Sequence, residues 1–341
     1  MTAPDPVNQL DAILRPKSVA VIGASTSPEK LGYQILKNII DSGFQGPVYP
    51  VNPKADTILD LPCYAGVKAI DPPPDLAVII IPARFVPQAL EECGEHGVKG
   101  AVIISGGFSE AGPEGEALQQ QVVEVAQRYG VRVVGPNCQG VNNPHHPLCA
   151  SWPLLTYRGK IAVISQSGTV GAAMMDWLTE EKLGCASFVS MGNRADVDET
   201  DLIAYFNRDP DTGVIAAYIE GIKRPEAFLR VVEELHKPLV VLKSGRTPKG
   251  KVAAESHTKA LAGADAIYDA LFARHNICRA YTIEEFYDFA KAFAYLKPPA
   301  GNRILFITTS GGAGILATDQ AELEGLDVAT LSPELAETLT P

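Results

Sequence analysis

Several features that would assign a protein class at once are missing from this sequence. Its 6 cysteines form no CxxC pair, which argues against the common zinc and redox motifs and against a disulfide-bonded scaffold. No apolar run approaches the ~18 residues that a membrane-spanning helix needs, and the N-terminus has no signal-peptide pattern. Lys and Arg are not clustered and the net charge is −11, which argues against a nucleic-acid surface. These absences predict a cytoplasmic protein that binds neither nucleic acid nor membrane, and no set of metal ligands is expected.

What the sequence does have is a regular alternation of apolar strands and helices. The 341 residues are 46% hydrophobic and 20% charged, which is enough apolar material for two or three domains. Apolar segments such as SVAVIGA (18–24) and DLAVIII (75–81) alternate with helical ones such as GYQILKNIIDSG (32–43). Continuous apolar strands between helices indicate a parallel sheet covered on both faces. Residues 1–150 are therefore predicted to form a doubly wound α/β domain.

The same alternation starts twice more along the chain. KIAVIS (160–165) opens a second α/β domain, predicted to span residues 151–295. Residues 296–341 contain a linker, LKPPAGN, and then RILFITTSGGAGILATDQAELEGLD, which matches KIAVISQSGTVGAAMMDWLTEEKLG in its order of strand, hydroxyl, Ser-Gly and helix. This is an internal repeat of one β–turn–α unit. The last copy is too short to close a domain, so we expect further chain or a partner to complete it.

The first strand is followed by the turn GASTSPEKLG (23–32), which does not fit the dinucleotide fingerprint GxGxxG. The second strand ends in VNPK rather than in the acidic residue that binds the ribose of NAD. Lys30 and Lys54 suit a ligand with an additional phosphate, such as NADP or coenzyme A, although both could also be ordinary solvated lysines. ISGGF (104–108) and GPNCQG (135–140) are two further glycine-containing turns, in which Cys138 is interpreted as a structural thiol.

Two Ser-Gly turns, SQSGTVG (165–171) and TSGGAG (309–314), stand at predicted helix starts. Free N–H groups and the helix dipole favour an anion there, although tight packing would also select glycine. Glu220 ends the apolar strand AAYIEGI and could orient a histidine, or could be a capping or surface residue. His257 lies alone in the small-residue stretch KVAAESHTKALAG (251–263), where the stretch by itself does not assign it a role.

Taken together, these segments match a known family. LRPKSVAVIGAS, VYPVNPK and GPNCQG resemble the CoA-binding domain of the ADP-forming acyl-CoA synthetases. SQSGTVG, YIEGI and KSGR…AAESHTKALAG resemble the second domain of that family, which is also found in the α subunit of succinyl-CoA synthetase. The resemblance implies a Rossmann-like CoA-binding domain, then a flavodoxin-like domain, then the start of a second flavodoxin-like domain.

The resemblance also implies roles for individual residues. His257 would accept a phosphoryl group, and Glu220 would hydrogen-bond its other ring nitrogen. Phosphate would bind at the two Ser-Gly turns, through Ser167, Gly168, Thr169, Ser310, Gly311, Gly312 and Gly314. Coenzyme A would contact Gly23, Ser25, Lys30, Gly32, Asn52, Lys54, Pro82, Ser105, Gly106 and Asn137.

The implied reaction is acyl-CoA + ADP + phosphate ⇌ acid + CoA + ATP, with a small carboxylic acid as the substrate. No ATP-grasp domain is recognised in the sequence, so the resemblance implies that ATP or ADP, with Mg, binds to a partner subunit or a further domain, in an oligomer. The sequence departs from the family in one place: Lys259 stands where Ser-His-Thr is usually followed by glycine.

Two other readings remain open from the sequence. A synthetase-like region of this kind also occurs as a CoA-binding regulatory or degenerate module in some protein lysine acetyltransferases. The first domain alone could also belong to a nicotinamide-dependent oxidoreductase, although the missing GxGxxG and the missing acidic residue disfavour it.

Overall fold

The computed structural model describes residues 8–152, 156–252 and 265–339. The chain divides into two compact units, Met1–Tyr295 and Leu296–Pro341. None of the helices in the described residues has both the length and the apolar character needed to cross a membrane.

The first half of the larger unit is built on a five-stranded parallel sheet in the order β2-β1-β5-β6-β7. A short hairpin of β3 and β4 lies outside this sheet. The strands are β1 Val19–Ile22, β2 Val48–Val51, β3 Thr57–Ile58, β4 Leu61–Pro62, β5 Leu76–Ile79, β6 Gly100–Ile103 and β7 Arg132–Val134. The helices are α1 Asp11–Leu14, α2 Leu31–Asp41, α3 Val86–His96 and α4 Pro113–Tyr129.

The side chains of β1 show why the strand is apolar throughout. Val19 and Val21 pack into one hydrophobic cluster together with residues of α2. Ala20 and Ile22 pack into another cluster together with residues of α3. Because successive side chains of a strand point to opposite faces, helices cover both faces of the sheet. The predicted doubly wound architecture is confirmed.

The second half contains a seven-stranded sheet in the order β14-β13-β12-β10-β11-β8-β9. The strands from β10 to β14 are parallel, and β8 and β9 are antiparallel additions at the edge. The strands are β8 Gly140–Asn143, β9 Leu148–Ser151, β10 Arg158–Ser165, β11 Cys185–Ser190, β12 Val214–Ile219, β13 Leu239–Lys243 and β14 Cys278–Ala280. The helices are α5 Gly168–Glu180, α6 Glu199–Arg208, α7 Pro225–Glu233, α8 Asp265–Arg274 and α9 Ile283–Tyr295, and residues 248–252 are also helical.

The edge strands β8 and β9 bear on the predicted division at residues 150 and 151. β8 precedes that division and β9 extends one residue past it, yet both belong to the second sheet, because β8 pairs with β11 and β9 pairs with β8. A cluster of buried apolar residues also extends from Val102 on the first sheet and Ile35 on α2 to Val141 and Ala162 on the second sheet. The two sheets therefore share one core, and the division into domains at 150 remains a prediction.

Each sheet has one point where its strand order reverses. Without the hairpin, the first sheet follows the order 2-1-3-4-5, and the parallel strands of the second sheet follow the same order. In such sheets ligands bind outside the carboxyl ends of strands 1 and 3, where the connections diverge to opposite faces. These positions are the ends of β1 and β5 in the first sheet, and of β10 and β12 in the second.

The smaller unit contains a parallel pair, β15 Arg303–Ile304 and β16 Asp327–Val328, with helices α10 Gly311–Leu323 and α11 Pro333–Leu339. The side chains of Ile307, Leu316 and Leu323 are exposed, at 93%, 71% and 82%. The predicted β–turn–α unit is present, and these three large apolar side chains are not buried within the described part of this unit, whereas Ala321 is.

Candidate functional site

The first crevice lies at the carboxyl ends of β1 and β5, and its volume is about 540 Å³. Six of the residues predicted to contact coenzyme A line it: Gly23, Ser25, Lys30, Asn52, Lys54 and Pro82. Lys30 and Lys54 are exposed. Asn52 fastens the end of β2 to the turn after β1, because its Nδ2 donates to the carbonyl of Ala24 at 2.8 Å. The walls also include Ile81, Phe85 and Ala89, which give the crevice an apolar side.

Two glycines allow close packing beside this crevice, between the turn after β1, the end of β5 and the start of α2. Gly23 has a φ of +94°, and a Cβ there would lie 2.2 Å from the carbonyl oxygen of Ile80. A Cβ on Gly32, at the start of α2, would lie 2.1 Å from the carbonyl oxygen of Gly23. Close helix–strand contact of this kind is what the glycines of the GxGxxG fingerprint provide. Gly23 and Gly32 achieve the same contact with a different spacing.

A second cavity, of about 640 Å³, lies between the strand ends of the two sheets. It brings together Asn137 with Ser167, Gly168 and Thr169, which the sequence predicted to bind different parts of the substrates. Its other lining residues are Leu31, Ile104, Ser109, Glu110, Cys138, Gln139, Trp152, Gln166, Ser190, Gly192, Asn193 and Arg194.

Ser105 and Gly106 connect the two cavities rather than lining either of them. The hydroxyl oxygen of Ser105 accepts a hydrogen bond from the N–H of Ile81 at 3.1 Å, on the side of the first crevice. Its carbonyl oxygen accepts from the N–H of Asn137 at 2.9 Å, on the side of the second. A Cβ on Gly106 would lie 3.2 Å from Oδ1 of Asn137. One short segment after β6 thus touches both sites.

The turn after β10 has the geometry of an anion-binding helix start. Ser167 is the N-cap of the 13-residue helix α5, and its hydroxyl oxygen accepts from the N–H of Val170. Gly168 packs against Gln139, because a Cβ there would lie 2.9 Å from that side chain and would require it to shift. Since the first N–H groups of a helix have no partner within the helix, this end can bind an anion.

The repeated turn in the smaller unit has the same local geometry. Ser310 caps α10 and accepts from the N–H of Ala313, as Ser167 does for Val170. Two residues earlier, the hydroxyl of Thr308 accepts from the N–H of Ser310, as the hydroxyl of Ser165 does from that of Ser167. The predicted internal repeat therefore extends to individual hydrogen bonds. That Gly311, Gly312 and Gly314 bind phosphate remains a prediction.

A hydrogen-bonded group of polar side chains spans the mouth of the second cavity. Nδ2 of Asn193 donates to Oε2 of Glu110 at 2.5 Å, and Nδ2 of Asn137 donates to Oδ1 of Asn193 at 3.2 Å. Burial raises the pKa of Glu110, but hydrogen bonds from Asn193 and from the N–H groups of Gly107 and Phe108 outweigh it and lower the pKa below its ordinary value. Glu110 therefore stays ionised and holds the loop after β6 against the loop after β11.

Glu220 follows β12 and is buried, with 5% of its surface exposed. Its N–H donates to Oε1 of Gln166 at 2.8 Å, and the hydroxyl of Tyr218 donates to its carboxylate at 3.4 Å. Gln166 immediately precedes the Ser167 cap, so the side chain of one residue links the two strand ends at the point where the strand order reverses. Ser256, His257 and Lys259 lie outside the described residues.

Cys138 lies on the wall of the second cavity but has the environment of a structural thiol. Burial raises its pKa to about 12, and its Sγ lies 3.3 Å from the carbonyl oxygen of Ile103. A thiol with so high a pKa carries almost no thiolate at neutral pH and is a poor nucleophile. The sequence-based interpretation of Cys138 is consistent with this environment.

The cavity walls include residues that the sequence analysis did not single out, among them Glu110, Gln139, Gln166, Asn193 and Arg194. One signal for Asn193 and Arg194 was available, because SMGNR follows a strand and combines glycine with polar residues, as the other turns do. Gln139 and Gln166 lie in the turns GPNCQG and SQSGTVG, which carry the same signal, but the sequence does not show that their side chains face one cavity. Their placement depends on which strands become neighbours.

Comparison with known proteins places these two domains in a class. The sequence profile of a family described as "CoA binding domain" matches residues 17–144. A profile described as "Succinyl-CoA ligase like flavodoxin domain" matches residues 158–293. The fold is thus that of a CoA-binding domain followed by a succinyl-CoA ligase-like flavodoxin domain.

Individual relatives narrow the class to one family. The α subunit of acetate–CoA ligase [ADP-forming] I from Pyrococcus furiosus is 47% identical over 324 residues, covering 93% of this chain and 70% of the relative. The acetate–CoA ligase [ADP-forming] of Methanocaldococcus jannaschii is 46% identical over 91% of this chain, which spans 44% of that relative. The chain belongs to the family of ADP-forming acid–CoA ligases and corresponds to their α-type portion.

A solved structure supports the same assignment. Acetyl-coenzyme A synthetase 1 of Ca. Korarchaeum cryptofilum, solved in complex with phosphate and ADP, superposes with a TM-score of 0.91 at 39% identity. The superposition covers 97% of this chain and 73% of that chain. These relatives favour a ligase over the regulatory module and over the nicotinamide-dependent oxidoreductase.

Proposed function

We propose that this chain catalyses the acyl-transfer part of the reaction acyl-CoA + ADP + phosphate ⇌ acid + CoA + ATP. The observation that carries the proposal is the connection of the two cavities through Ser105. One cavity is lined by Gly23 and by the exposed Lys30 and Lys54, which suit a large phosphorylated ligand. The other contains a capped helix start suited to inorganic phosphate. Coenzyme A bound in the first, with its thioester in the second, would present the acyl group to that phosphate.

In the first step, an oxygen of phosphate attacks the thioester carbonyl. A carbon–oxygen bond forms, the carbon–sulfur bond breaks, and coenzyme A leaves as a thiolate that takes up a proton. Ser167, Gly168 and Thr169 would hold the phosphate by main-chain N–H groups at the start of α5. Asn137 and Asn193, at the mouth of the same cavity, are placed to contact the acyl group or the thioester oxygen.

In the second step, His257 takes the phosphoryl group from the acyl phosphate and releases the carboxylic acid. Splitting the transfer in this way replaces one difficult step with two easier ones. Glu220 would accept a hydrogen bond from the ring nitrogen that is not phosphorylated, which fixes the tautomer. Transfer from His257 to ADP would then regenerate the histidine and produce ATP.

We further propose that the nucleotide and its Mg bind to an ATP-grasp subunit or domain rather than to the residues described above. The P. furiosus relative is named as an α subunit, and the M. jannaschii relative is a longer single chain. Both observations support a complex in which this chain supplies the CoA site and the phosphoryl carrier. Such a complex would operate in the cytoplasm, where all 6 free cysteines would stay reduced.

The acid is proposed to be a small carboxylic acid. Relatives named for acetate, 4-hydroxybutyrate and trans-ferulate all align with more than nine-tenths of this chain. This range supports a conserved reaction with a variable acyl pocket, and the apolar residues Leu31, Ile104 and Trp152 form part of the cavity wall where that pocket would be.

The proposal is tested by the mass of the intact protein after incubation with phosphate and a series of acyl-CoA thioesters, beginning with acetyl-CoA. The expected result is a gain of one phosphoryl group that acid removes. His257→Ala should abolish the gain, whereas His275→Ala, a matched control in the same domain, should retain it. Absence of the gain with every thioester, both for the chain alone and together with an ATP-grasp partner, would contradict the proposed function.

A further inference from the structure

The parallel pairing of β10 and β12 is modified at the position where both strands end. Ser165 lies opposite Tyr218, and the N–H of Gln166 donates to the carbonyl of Tyr218 at 3.2 Å. In a regular parallel ladder, the N–H of Glu220 would next donate to the carbonyl of Gln166. It donates instead to the side-chain Oε1 of Gln166, at 2.8 Å. The side chain thus replaces one main-chain bond, and the main chain turns away into the Ser167 cap.

The amide of Gln166 uses its whole hydrogen-bonding capacity on this task. Oε1 accepts from the N–H groups of Glu220 and Gly221, at 2.8 and 3.3 Å. Nε2 donates to the carbonyl of Gly221 at 2.9 Å and to Oε2 of Glu199 at 3.1 Å. An amide offers two acceptor and two donor positions, so all four are occupied. If the amide were turned over, its NH2 group would face the N–H groups of Glu220 and Gly221. The positions of Oε1 and Nε2 are therefore assigned by these contacts.

The buried ion pair of Arg194 and Glu199 also contacts the segment that follows β12. Nη1 of Arg194 donates to Oε2 of Glu199 at 2.9 Å and to the carbonyl of Gly221 at 2.8 Å. Oε1 of Glu199 accepts from the N–H of Lys223 at 2.8 Å. Glu199 is fully buried, and Arg194 is 5% exposed. Side chains therefore hold the segment 220–223 in place after the strand has ended.

We infer that Gln166 is a positioning residue that fixes Glu220 relative to the phosphate turn Ser167–Thr169. Gln166 adjoins Ser167 in the chain and holds the backbone of Glu220 through its side chain, so one residue sets the distance between the two groups. This inference rests on the proposed role of Glu220 at the phosphoryl-carrying histidine. Gln166 itself need not touch the phosphate to act.

The test uses Gln166→Met, which keeps the length of the side chain and removes its four hydrogen bonds. Misplacing a reacting group by about 1 Å can cost on the order of 100-fold in rate, so we expect phosphorylation of His257 to slow by about 10- to 100-fold. The KM for acyl-CoA should stay within about 3-fold, because most of the proposed contacts to coenzyme A line the first crevice and Gln166 does not. A general loss of structure would slow phosphorylation and would also raise the KM for acyl-CoA.

A double-variant cycle separates positioning from an independent effect. If Gln166 acts through Glu220, the pair Gln166→Met with Glu220→Gln should react no more than about 3-fold slower than Glu220→Gln alone. Losses that multiply would overturn the inference. Hydrogen exchange adds a direct readout, because the N–H groups of Glu220 and Gly221 should exchange faster in Gln166→Met, while those of β12 stay protected.

Asn207→Leu serves as the matched control for the loss of a buried amide. Asn207 is 5% exposed and bridges Glu234 and His236 on another part of the same domain. It should lower stability without slowing phosphorylation. If the wild type is labelled and Gln166→Met is labelled at the same rate, the inference alone is overturned. If the wild type is never labelled, the proposed function fails, and the inference fails with it.

Discussion

The carbonyl oxygen of Ser105 accepts a hydrogen bond from the N–H of Asn137 at 2.9 Å. This bond joins the strand ends of the first sheet to the cavity shared with the second. The hydroxyl oxygen of the same serine accepts a hydrogen bond from the N–H of Ile81, which lines the first crevice. One serine therefore joins a wall residue of each cavity.

Gly23 is expected to tolerate no side chain. In Gly23→Ala the Cβ would meet the carbonyl of Ile80 at 2.2 Å, at a φ of +94°, so unfolding should require about 3 kcal/mol less and coenzyme A binding should weaken. Gly43 also has a positive φ, +79°, but no described atom lies within 4 Å of its would-be Cβ. Gly43→Ala should therefore cost only about 1 kcal/mol. Urea denaturation and calorimetric titration with coenzyme A measure both quantities; equal losses in the two variants would refute the steric explanation.

Lys30 and Lys54 are expected to bind phosphate groups of coenzyme A. Replacing either lysine with glutamine should weaken coenzyme A binding by about 3- to 10-fold at low salt, because a partly exposed charge pair contributes on the order of 1 kcal/mol. The difference should shrink as salt is added. Lys37→Gln is the control, since Lys37 pairs with Asp41 on the surface of α2 away from the crevice wall. Unchanged affinity in both crevice variants would argue against this binding mode.

Arg194 and Glu199 form a buried ion pair, and replacing only one of the two residues should lower the free energy of unfolding. Arg194→Met leaves Glu199 fully buried without its guanidinium, and we expect a loss of about 3–5 kcal/mol in the free energy of unfolding. The double variant Arg194→Met with Glu199→Gln should lose at least about 1 kcal/mol less than the sum of the two single variants. Urea denaturation of the four proteins gives the coupling. Simple additivity would show that the two side chains do not depend on each other.

Asp198 should make stability depend on pH in the acidic range. Burial raises its pKa, but the two short hydrogen bonds from Arg224, both 2.6 Å, outweigh burial, so the pKa lies below its ordinary value. A carboxyl with a lowered pKa stabilises the fold above the pKa of the unfolded chain, and this contribution is lost as the pH falls through the folded pKa.

The matching variant is Asp198→Asn, which can still cap α6. At pH 7 it should be less stable than the wild type by about 1–2 kcal/mol, a value reduced because Arg224 is partly exposed to solvent. The difference should disappear at a pH well below 4, where the wild-type carboxyl is protonated. Chemical denaturation across pH measures it. A difference that is constant with pH would mean that Asp198 contributes only as a cap.

Some residues of the candidate site could be predicted from the sequence, and others could not. Gly23 and Gly32 could be predicted as a close turn because a glycine after an apolar strand and another at a helix start leave few alternatives. Lys30 and Lys54 are separated by a helix and a strand, yet both reach the first crevice because β1 and β2 are adjacent and parallel. That adjacency also follows from the alternation of strands and helices.

The family resemblance implies that Ser105, Gly106 and Asn137 contact coenzyme A together with the residues of the first crevice. The structure places Asn137 on the wall of the second cavity and the other two between the cavities. A residue at the end of a strand can face either of two neighbouring cavities, and its contacts with the adjacent loops determine which one it lines. Here Asn193, in the loop after β11, accepts a hydrogen bond from Nδ2 of Asn137 at the second cavity.

The parallel strands, most helices, the doubly wound architecture and the repeat of the Ser-Gly turn could be predicted from the sequence alone. These features depend on local periodicity, turn residues and helix caps, which neighbouring residues specify. Three features became evident from the three-dimensional packing: β8 and β9 join the second sheet, two crevices share the loop after β6, and Gln166 holds Glu220. Such contacts join residues 30 to 60 positions apart in the sequence. The order of the strands is set by the burial of their apolar faces. The polar side chains at the strand ends become neighbours only as a consequence of that packing.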